Sequence, residues 1–213
     1  MAKKNDVEKI DLLKVNPKIF TVTITGDTDL VLNKMDAVTE RELTDARNDK
    51  AKSVEKPNKW ERIITSIHWL EGSGDVFTED EFVRKLNEDT PCITAHGVKE
   101  MLANAVVRSG LEQYSTKFKT NVNINGEKGS GLIPIRFTEH YLNELLMSPK
   151  KGKPILARLN CFKGWSADIE VSFLDGMYSA EQITGLFQIA GFGNGIGSSR
   201  NAGFGRFHVE NVK

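Results

Sequence analysis

Several short stretches of the chain alternate between apolar and polar residues, which is typical of strands with one buried face. The clearest covers residues 19–26, where apolar residues alternate with threonines up to a closing glycine. The same alternation predicts further strands at residues 118–124, 132–137, 155–162 and 167–174. Because only four residues separate the last two, they are predicted to form a hairpin.

Other stretches repeat their apolar residues at helical spacing. Residues 96–111 predict an amphipathic helix whose apolar face consists of Val98, Met101, Leu102, Ala105 and Val106. Two more helices are predicted to begin at the N-caps Thr78 and Ser179. Several acidic residues follow Thr78 in the first turn, and Glu181 follows Ser179. Residues 39–47 and 139–147 predict shorter helices.

The order of these elements predicts the fold class. With the intervening segments set aside, the chain runs strand, helix, strand, strand, helix, strand, beginning near Ile19, His96, Ile155, Ala167, Ser179 and Gly205. This is the βαββαβ order of an α+β, RRM-like (ferredoxin-like) domain. We expect one such domain over residues 19–213, with insertions after the first strand (a finger at about 36–92) and after the first helix (about 114–153). Residues 1–18 are either an arm that docks on a neighbour or a loosely attached tail.

Composition narrows the class of protein. The 213 residues are 39% hydrophobic and 27% charged, as in ordinary globular domains. No apolar run approaches the roughly 20 residues of a membrane span, and the first residues lead into no apolar signal segment. We therefore expect a cytoplasmic protein. Cys92 and Cys161 lie far apart without a CxxC partner. We therefore expect both to be buried thiols, and we expect neither a metal site nor a cofactor.

Charge alone gives no support for nucleic-acid binding, because 29 basic and 29 acidic side chains balance. A nucleic-acid-binding surface would have to be local. The first candidate is the basic cluster in the insertion, Lys50, Lys52, Lys56, Lys59 and Arg62. It suits either a finger that touches nucleic acid or the next subunit, or a solvated charged hairpin. The second candidate is a basic loop with Lys150, Lys151 and Lys153.

The most specific motif lies near the C-terminus, where Gly-apolar-Gly triplets at residues 195–197 and 203–205 flank a polar run. Glycines allow positive φ and close backbone approach, and consecutive amides in such a turn can form a nest for phosphate oxygens. Arg200 adds a permanently charged guanidinium. The candidate contacts are Gly195, Gly197, Ser198, Ser199, Arg200, Asn201, Gly203, Gly205 and Arg206. A flexible turn is the alternative. The polarity disfavours a dinucleotide-binding loop, because that motif leaves a strand and opens a helix, whereas this loop leaves a helix and enters a strand.

The two triplets, the basic residue between them and the terminal strand after them resemble the glycine-rich loop of the RAMP (repeat-associated mysterious protein) superfamily. These CRISPR-associated proteins are built on RRM-like domains. The resemblance is closest to the backbone-subunit branch and its phage-encoded relatives. It implies a non-enzymatic, sequence-tolerant binder of single-stranded RNA or DNA that holds phosphates through amides and basic side chains. It also implies partners: a homo-oligomer assembled side by side along the strand as a filament, or a subunit of a ribonucleoprotein.

Two other functions remain open. Some RAMP proteins cut RNA with a histidine as general acid or base, and the candidates here are His68, His96, His140 and His208. None lies in a catalytic-triad or metal-ligand spacing. The zero net charge motivates a third function, a self-assembling or partner-binding structural protein without nucleic acid. Trp60, Trp165 and Phe204 are either base-stacking platforms or core residues.

Overall fold

The computed structural model describes residues 17–47, 58–147 and 155–213. The strands in these ranges are β1 (Pro17–Gly26), β2 (Leu30–Leu32), β3 (His68–Trp69), β4 (Pro91–Thr94), β5 (Val122–Asn125), β6 (Leu132–Pro134), β7 (Glu139–Met147), β8 (Ile155–Lys163), β9 (Ser166–Leu174) and β10 (Phe207–Val212). The α-helices are α1 (Ala37–Arg47), α2 (Lys59–Thr65), α3 (Glu79–Glu88), α4 (Ala95–Arg108), α5 (Thr116–Asn121) and α6 (Ala180–Gly193). The chain is therefore of the α+β class, as predicted.

The main layer is a four-stranded antiparallel sheet with the order β10–β1–β9–β5. One face of the sheet is apolar, and its side chains belong to the same buried cluster as those of α4 and α6. Alternate residues of β9 show the two faces clearly, because Ile169 and Val171 are buried whereas Asp168 and Glu170 are exposed. The helices therefore cover one face and leave the other open.

Two three-stranded sheets complete the fold, with the orders β2–β8–β7 and β3–β4–β6. Trp165 marks the place where the chain passes from β8 in one sheet to β9 in another. Its indole is fully buried and its Nε1–H donates to the carbonyl of Thr28 at 2.8 Å. A Cβ on Gly26 would lie 2.1 Å from the indole nitrogen, so β1 ends on a glycine because this ring needs the space.

The helix predictions that rested on local signals are confirmed. α4 covers most of residues 96–111, and the Thr94 hydroxyl caps it by accepting from the amide of Gly97 at 3.0 Å. Thr78 and Ser179 form capping boxes at the starts of α3 and α6. The strand predicted from residue 19 is β1. In each case, the hydrogen-bond partner or the buried face lies within a few residues of the signal.

Three predictions are wrong, wholly or in part. The strand predicted over 118–124 is limited to its last residues, because Thr116–Asn121 is helix α5 and β5 begins at Val122. Residues 155–162 and 167–174 do not pair with each other, because β8 pairs with β2 and β7. The position beside β9 in the main sheet belongs to β5. Residues 139–147 are not a helix but strand β7, which pairs along its whole length with β8. Pairing with a strand distant in sequence overrides local preference there.

Both cysteines are buried free thiols, as predicted. Burial, with a smaller contribution from the charges of Asp89 and Glu127, raises the pKa of Cys92 to about 12. Within the described ranges, no helix has the length and apolar character to cross a membrane. Six predicted contact residues lie outside the described residues: Lys50, Lys52, Lys56, Lys150, Lys151 and Lys153. Most of the predicted N-terminal arm, residues 1–16, lies outside them too.

Candidate nucleic-acid interface

The glycine-rich loop, residues 195–205, follows α6 and is folded tightly on itself. The amide of Ile196 donates to the carbonyl of Gly205 at 2.8 Å, which joins the two triplets. Gly205 has a φ of +71°, and a Cβ there would lie 1.8 Å from the carbonyl oxygen of Ile196. The second triplet therefore requires glycine at this position for close contact as well as for conformation.

The loop is also fixed to the segment around β2. The amides of Ser198 and Gly205 donate to the carbonyls of Val31 and Asp29, each at 2.8 Å. A Cβ on Gly197 would lie 2.5 Å from the carbonyl oxygen of Val31. These contacts hold the start and the end of the described chain together as one rigid wall.

This arrangement changes the expected role of the loop amides. Several of them are already bonded inside the protein. Among the amides of the loop, those of Gly197, Ser199, Arg200, Asn201 and Phe204 have no acceptor among the described residues. Ser199 has left-handed backbone, with φ +56°, and starts a single 3₁₀ turn at Arg200–Ala202. Free amides are therefore concentrated around Arg200, in the middle of the loop.

A cleft of about 330 Å³ lies beside this part of the loop. Its other walls are the chain after β2, the end of β4 and the first turns of α4. Its lining includes Lys34, His68, His96, Asn104, Gly197 and Arg200. The amide of Lys34 donates to the carbonyl of Ser66 at 2.8 Å, and the Ser198 hydroxyl donates to the carbonyl of Asn33 at 3.0 Å. The backbone on both sides of the cleft is therefore fixed.

The electrostatics of the cleft favour an anion. Lys34 and Arg200 are exposed cations on its lining. Glu100 is the acidic member, and the Lys119 ammonium lies 2.7 Å from its carboxylate. That hydrogen bond lowers the pKa of Glu100, so its charge is present at neutral pH but compensated. The glycine-rich loop therefore faces a basic and polar groove rather than an acidic wall.

The four histidines fall into two groups. His68 and His96 both line the cleft; burial, followed by the charge of Lys34, lowers the pKa of His68. His140 instead packs between the rings of Phe82 and Phe162. His208 contacts Asp27 at 2.6 Å on the open face of the main sheet. The structure thus brings two of the four candidates together beside Arg200.

Some predicted contact residues are engaged elsewhere. The Arg206 guanidinium donates to the carbonyl of Phe192 at the end of α6. Arg62 pairs with Glu42 at 3.1 Å, and the Lys59 ammonium lies over the Trp60 ring at 4.9 Å. None of these three predicted residues lines the cleft. Of the predicted loop contacts, Gly197, Ser198 and Arg200 do.

The three aromatic candidates differ in exposure. Trp165 is fully buried and belongs to the core. Trp60 is half-buried and stacks on Phe82, with ring centroids 5.6 Å apart. Phe204 is also half-buried, and it packs on the small apolar cluster of Val31, Leu159 and Cys161. Core packing therefore accounts for all three rings.

Several cleft residues could not be predicted from the sequence, notably Asn33, Lys34, Thr94 and Asn104. They occur in three separate segments and form no motif. Only the hydrogen bonds between the loop and β2, about 165 residues apart in the chain, bring Lys34 beside Arg200. The sequence alone does not show that the loop is hydrogen-bonded to the β2 segment, and without that contact these residues cannot be assigned to one cleft.

The open face of the main sheet has the opposite character. It carries the carboxylates of Asp168, Glu170 and Glu210 beside the threonines of β1. Arg136 contacts Asp168 at 2.7 Å and lowers the pKa of that carboxyl group. Phosphate groups would be repelled from this face, whereas the cleft offers cations and free amides.

No family model matches the chain, and no curated protein matches it. Among solved structures, it resembles a chain in the cryo-EM structure of the Type III-B Cmr-beta bound to cognate target RNA. The identity is 12% and the TM-score 0.48, over 92% of this chain and 60% of that chain. It also resembles the crystal structure of Cmr6 from Pyrococcus furiosus, with 12% identity and a TM-score of 0.44, over 92% of this chain and 98% of that one.

The chain spans about 60% of the length of the Cmr-beta chain that it matches. Both TM-scores lie below 0.5, so these likenesses carry no argument about function.

Proposed function

We propose that this protein binds single-stranded RNA or DNA through the cleft beside its glycine-rich loop. The observation that carries the proposal is that Lys34, Arg200 and the loop amides of Gly197 and Arg200, which have no acceptor among the described residues, all lie on the lining of one cleft. Amides and basic side chains recognise phosphate oxygens without reading the base sequence. The binding is therefore sequence-tolerant and has no catalytic step.

The charge distribution supports this location of the strand. The open sheet face is rich in carboxylates, so the strand follows the loop side of the molecule. Because the whole chain has no net charge, the local cations supply the attraction, and the affinity falls steeply with salt.

The test is the affinity of a labelled oligonucleotide for the protein at several salt concentrations. Arg200→Ala and Lys34→Ala should each weaken binding about tenfold at low salt. Each should also reduce the slope of log K against log salt by about 0.7, the value for one phosphate contact on a single strand. Arg84→Ala, which removes an exposed arginine of α3 outside the cleft, is the matched control and should bind as the wild type does. Equal binding by Arg200→Ala and the wild type would remove the loop from the mechanism.

We also propose that β1, α4, β5, β9, α6 and β10 form the βαββαβ unit of an RRM-like domain. The strand order β10–β1–β9–β5 supports this, because it places the fourth strand beside the first and the third between first and second. The finger at 36–92 keeps its place after the first strand. The second insertion then follows β5 rather than the first helix.

The assembly belongs to the same proposal: copies bind side by side along one strand, or the chain is one subunit of a ribonucleoprotein. The ratio of absorbance at 260 and 280 nm of the purified protein shows whether it carries nucleic acid. A filament that forms after nuclease treatment and contains no nucleotide would favour a structural protein instead.

A second candidate function is metal-independent RNA cleavage, favoured by the presence of His68 and His96 in one cleft. The lowered pKa of His68 leaves its ring neutral near pH 7, as a general base requires. Incubation with hairpin RNA in EDTA tests it. Cleavage that is lost in both His68→Ala and His96→Ala would support an endoribonuclease, and intact RNA would support binding alone.

A further inference from the structure

We infer that the cleft holds one unstacked nucleobase of the bound strand, with the neighbouring phosphate at Arg200 and Lys34. This inference rests on the proposed function and adds a base-binding step to it. A volume of about 330 Å³ lies near the lower end of the roughly 300–1,000 Å³ range of small-ligand pockets. It suits one flat group rather than a run of several nucleotides.

The inner part of the cleft is apolar. Val31, Ile93, Met101 and Ile196 line it and all four side chains are buried. A phosphate or a sugar would gain nothing from such a surface, because charged and hydroxyl groups lose their hydration there. A nucleobase, which has an apolar face, is stabilised by leaving water for it.

The outer part of the cleft is polar and suited to a base edge. Asn33 and Asn104 are exposed on opposite walls, on the chain after β2 and on α4. The Asn104 amide nitrogen donates to the carbonyl of Glu100 at 2.9 Å, which leaves its oxygen free to accept from a base. The half-buried ring of His68, neutral because burial and Lys34 oppose its protonation, adds another hydrogen-bonding group.

The cations lie where a backbone phosphate would need them. Lys34 directly follows Asn33, and Arg200 lies on the loop that forms the facing wall. A base inside the cleft and a phosphate at these two side chains are adjacent parts of one nucleotide. Unstacking is least costly for a single strand, so the arrangement suits a nucleotide of such a strand.

The experiment compares an intact oligonucleotide with one of equal length whose sugars carry no bases. Both have the same phosphates, so a surface that binds only the backbone holds them equally. We expect the wild type to bind the intact strand about tenfold more tightly, the effect of one well-packed base. Asn104→Phe, which places a ring at the mouth of the cleft, should lower the intact-strand affinity to the level of the base-free strand. Asn87→Phe on α3 is the matched control, an exposed helical asparagine outside the cleft, and should keep the tenfold preference.

The outcomes separate this inference from the proposed function. Equal affinity of the wild type for the two strands overturns the base pocket and leaves backbone binding in place. Binding of neither strand overturns both. Adenosine monophosphate, tested as a competitor, distinguishes a free nucleotide from a strand. If it binds as tightly as the intact strand, the cleft belongs to a free nucleotide and the inference is wrong.

Discussion

Gly205 shows how one residue can determine the shape of the glycine-rich loop. Its positive φ costs an L-residue about 1–2 kcal/mol, and its close contact with Ile196 leaves no room for a Cβ. Gly203 also has positive φ, +90°, but open space around its Cα. An alanine at Gly203 would therefore meet only the cost of positive φ, whereas an alanine at Gly205 would meet that cost and a steric clash.

We expect Gly203→Ala to lower the free energy of unfolding by about 1 kcal/mol. Gly205→Ala should cost a further 1–3 kcal/mol or so, because the added methyl group forces the two triplets apart. Urea denaturation measures both values. A loss of stability in Gly205→Ala no larger than in Gly203→Ala would show that the triplets are not locked together.

The buried ring of His140 leads us to expect that the free energy of unfolding depends on pH. Burial lowers its pKa in the folded protein, against a smaller opposing effect of the hydrogen bond with Asn160. The pKa of His68 is lowered as well. The unfolded chain, with histidine pKa values near 6.5, therefore binds more protons than the folded protein as the pH falls. Stability is complete above about pH 6.5 and declines below it, toward the lowered folded-state pKa values.

In His140→Phe, the fall in unfolding free energy between pH 7.5 and pH 5.5 should be smaller than in the wild type. Its stability at pH 7.5 should itself be lower by about 1–3 kcal/mol, since the buried Asn160 oxygen loses its partner. Urea denaturation at the two pH values gives both numbers. An unchanged fall in stability with pH would exclude His140 as its source.

The sequence showed which residues of the loop were unusual but not why. Its glycines suggested a nest of free amides, yet the amide of Gly205 is used inside the protein and its missing Cβ makes room for Ile196. Only hydrogen-bond partners from the β2 segment reveal this. Lys34 could not be predicted for the same reason.

Among the elements, α6 matters most for the site because the glycine-rich loop continues from its last turn. Its start is fixed by the capping box of Ser179 and Gln182. α5 offers a contrast, because its N-cap residue Ser115 makes no capping hydrogen bond through its side chain. The same residue type thus occupies two helix starts with different roles.

Ser179→Ala should destabilise the protein by about 1 kcal/mol, the usual contribution of an N-cap hydroxyl. Ser115→Ala should change stability by less than about 0.5 kcal/mol. The shift of the urea midpoint at constant m-value measures both. Equal shifts in the two variants would contradict the role given to the capping box.

Local signals predicted elements well where the signal lies within the element itself or in its cap. The caps of α3 and α6 and the alternation of β1 are examples. They failed for β7, whose residues 139–147 can form either a helix or a strand, and whose state is decided by β8. They also failed around Trp165. The segments before and after this buried residue look like the two strands of a hairpin, but β8 and β9 belong to different sheets.

At the scale of the whole molecule, charge distinguishes the two faces. We expect the double substitution Glu170→Gln and Glu210→Gln on the open sheet face to leave oligonucleotide affinity unchanged at physiological salt. It should raise affinity slightly at low salt, where removal of negative charge acts over a longer range. Titration with a labelled oligonucleotide at two salt concentrations tests this. A marked loss of binding would place the strand on the sheet instead.

The joining of Asp29 and Val31 to the loop at 195–205 has a consequence for biosynthesis. A ribosome releases the β2 segment early, but its partners follow more than 160 residues later in the sequence. Until that part of the chain has left the exit tunnel, the cleft lacks the wall formed by the glycine-rich loop, and β1 lacks its neighbour β10. Under the proposed function, a nascent chain therefore acquires its complete strand-binding cleft only after residues 195–205 have emerged.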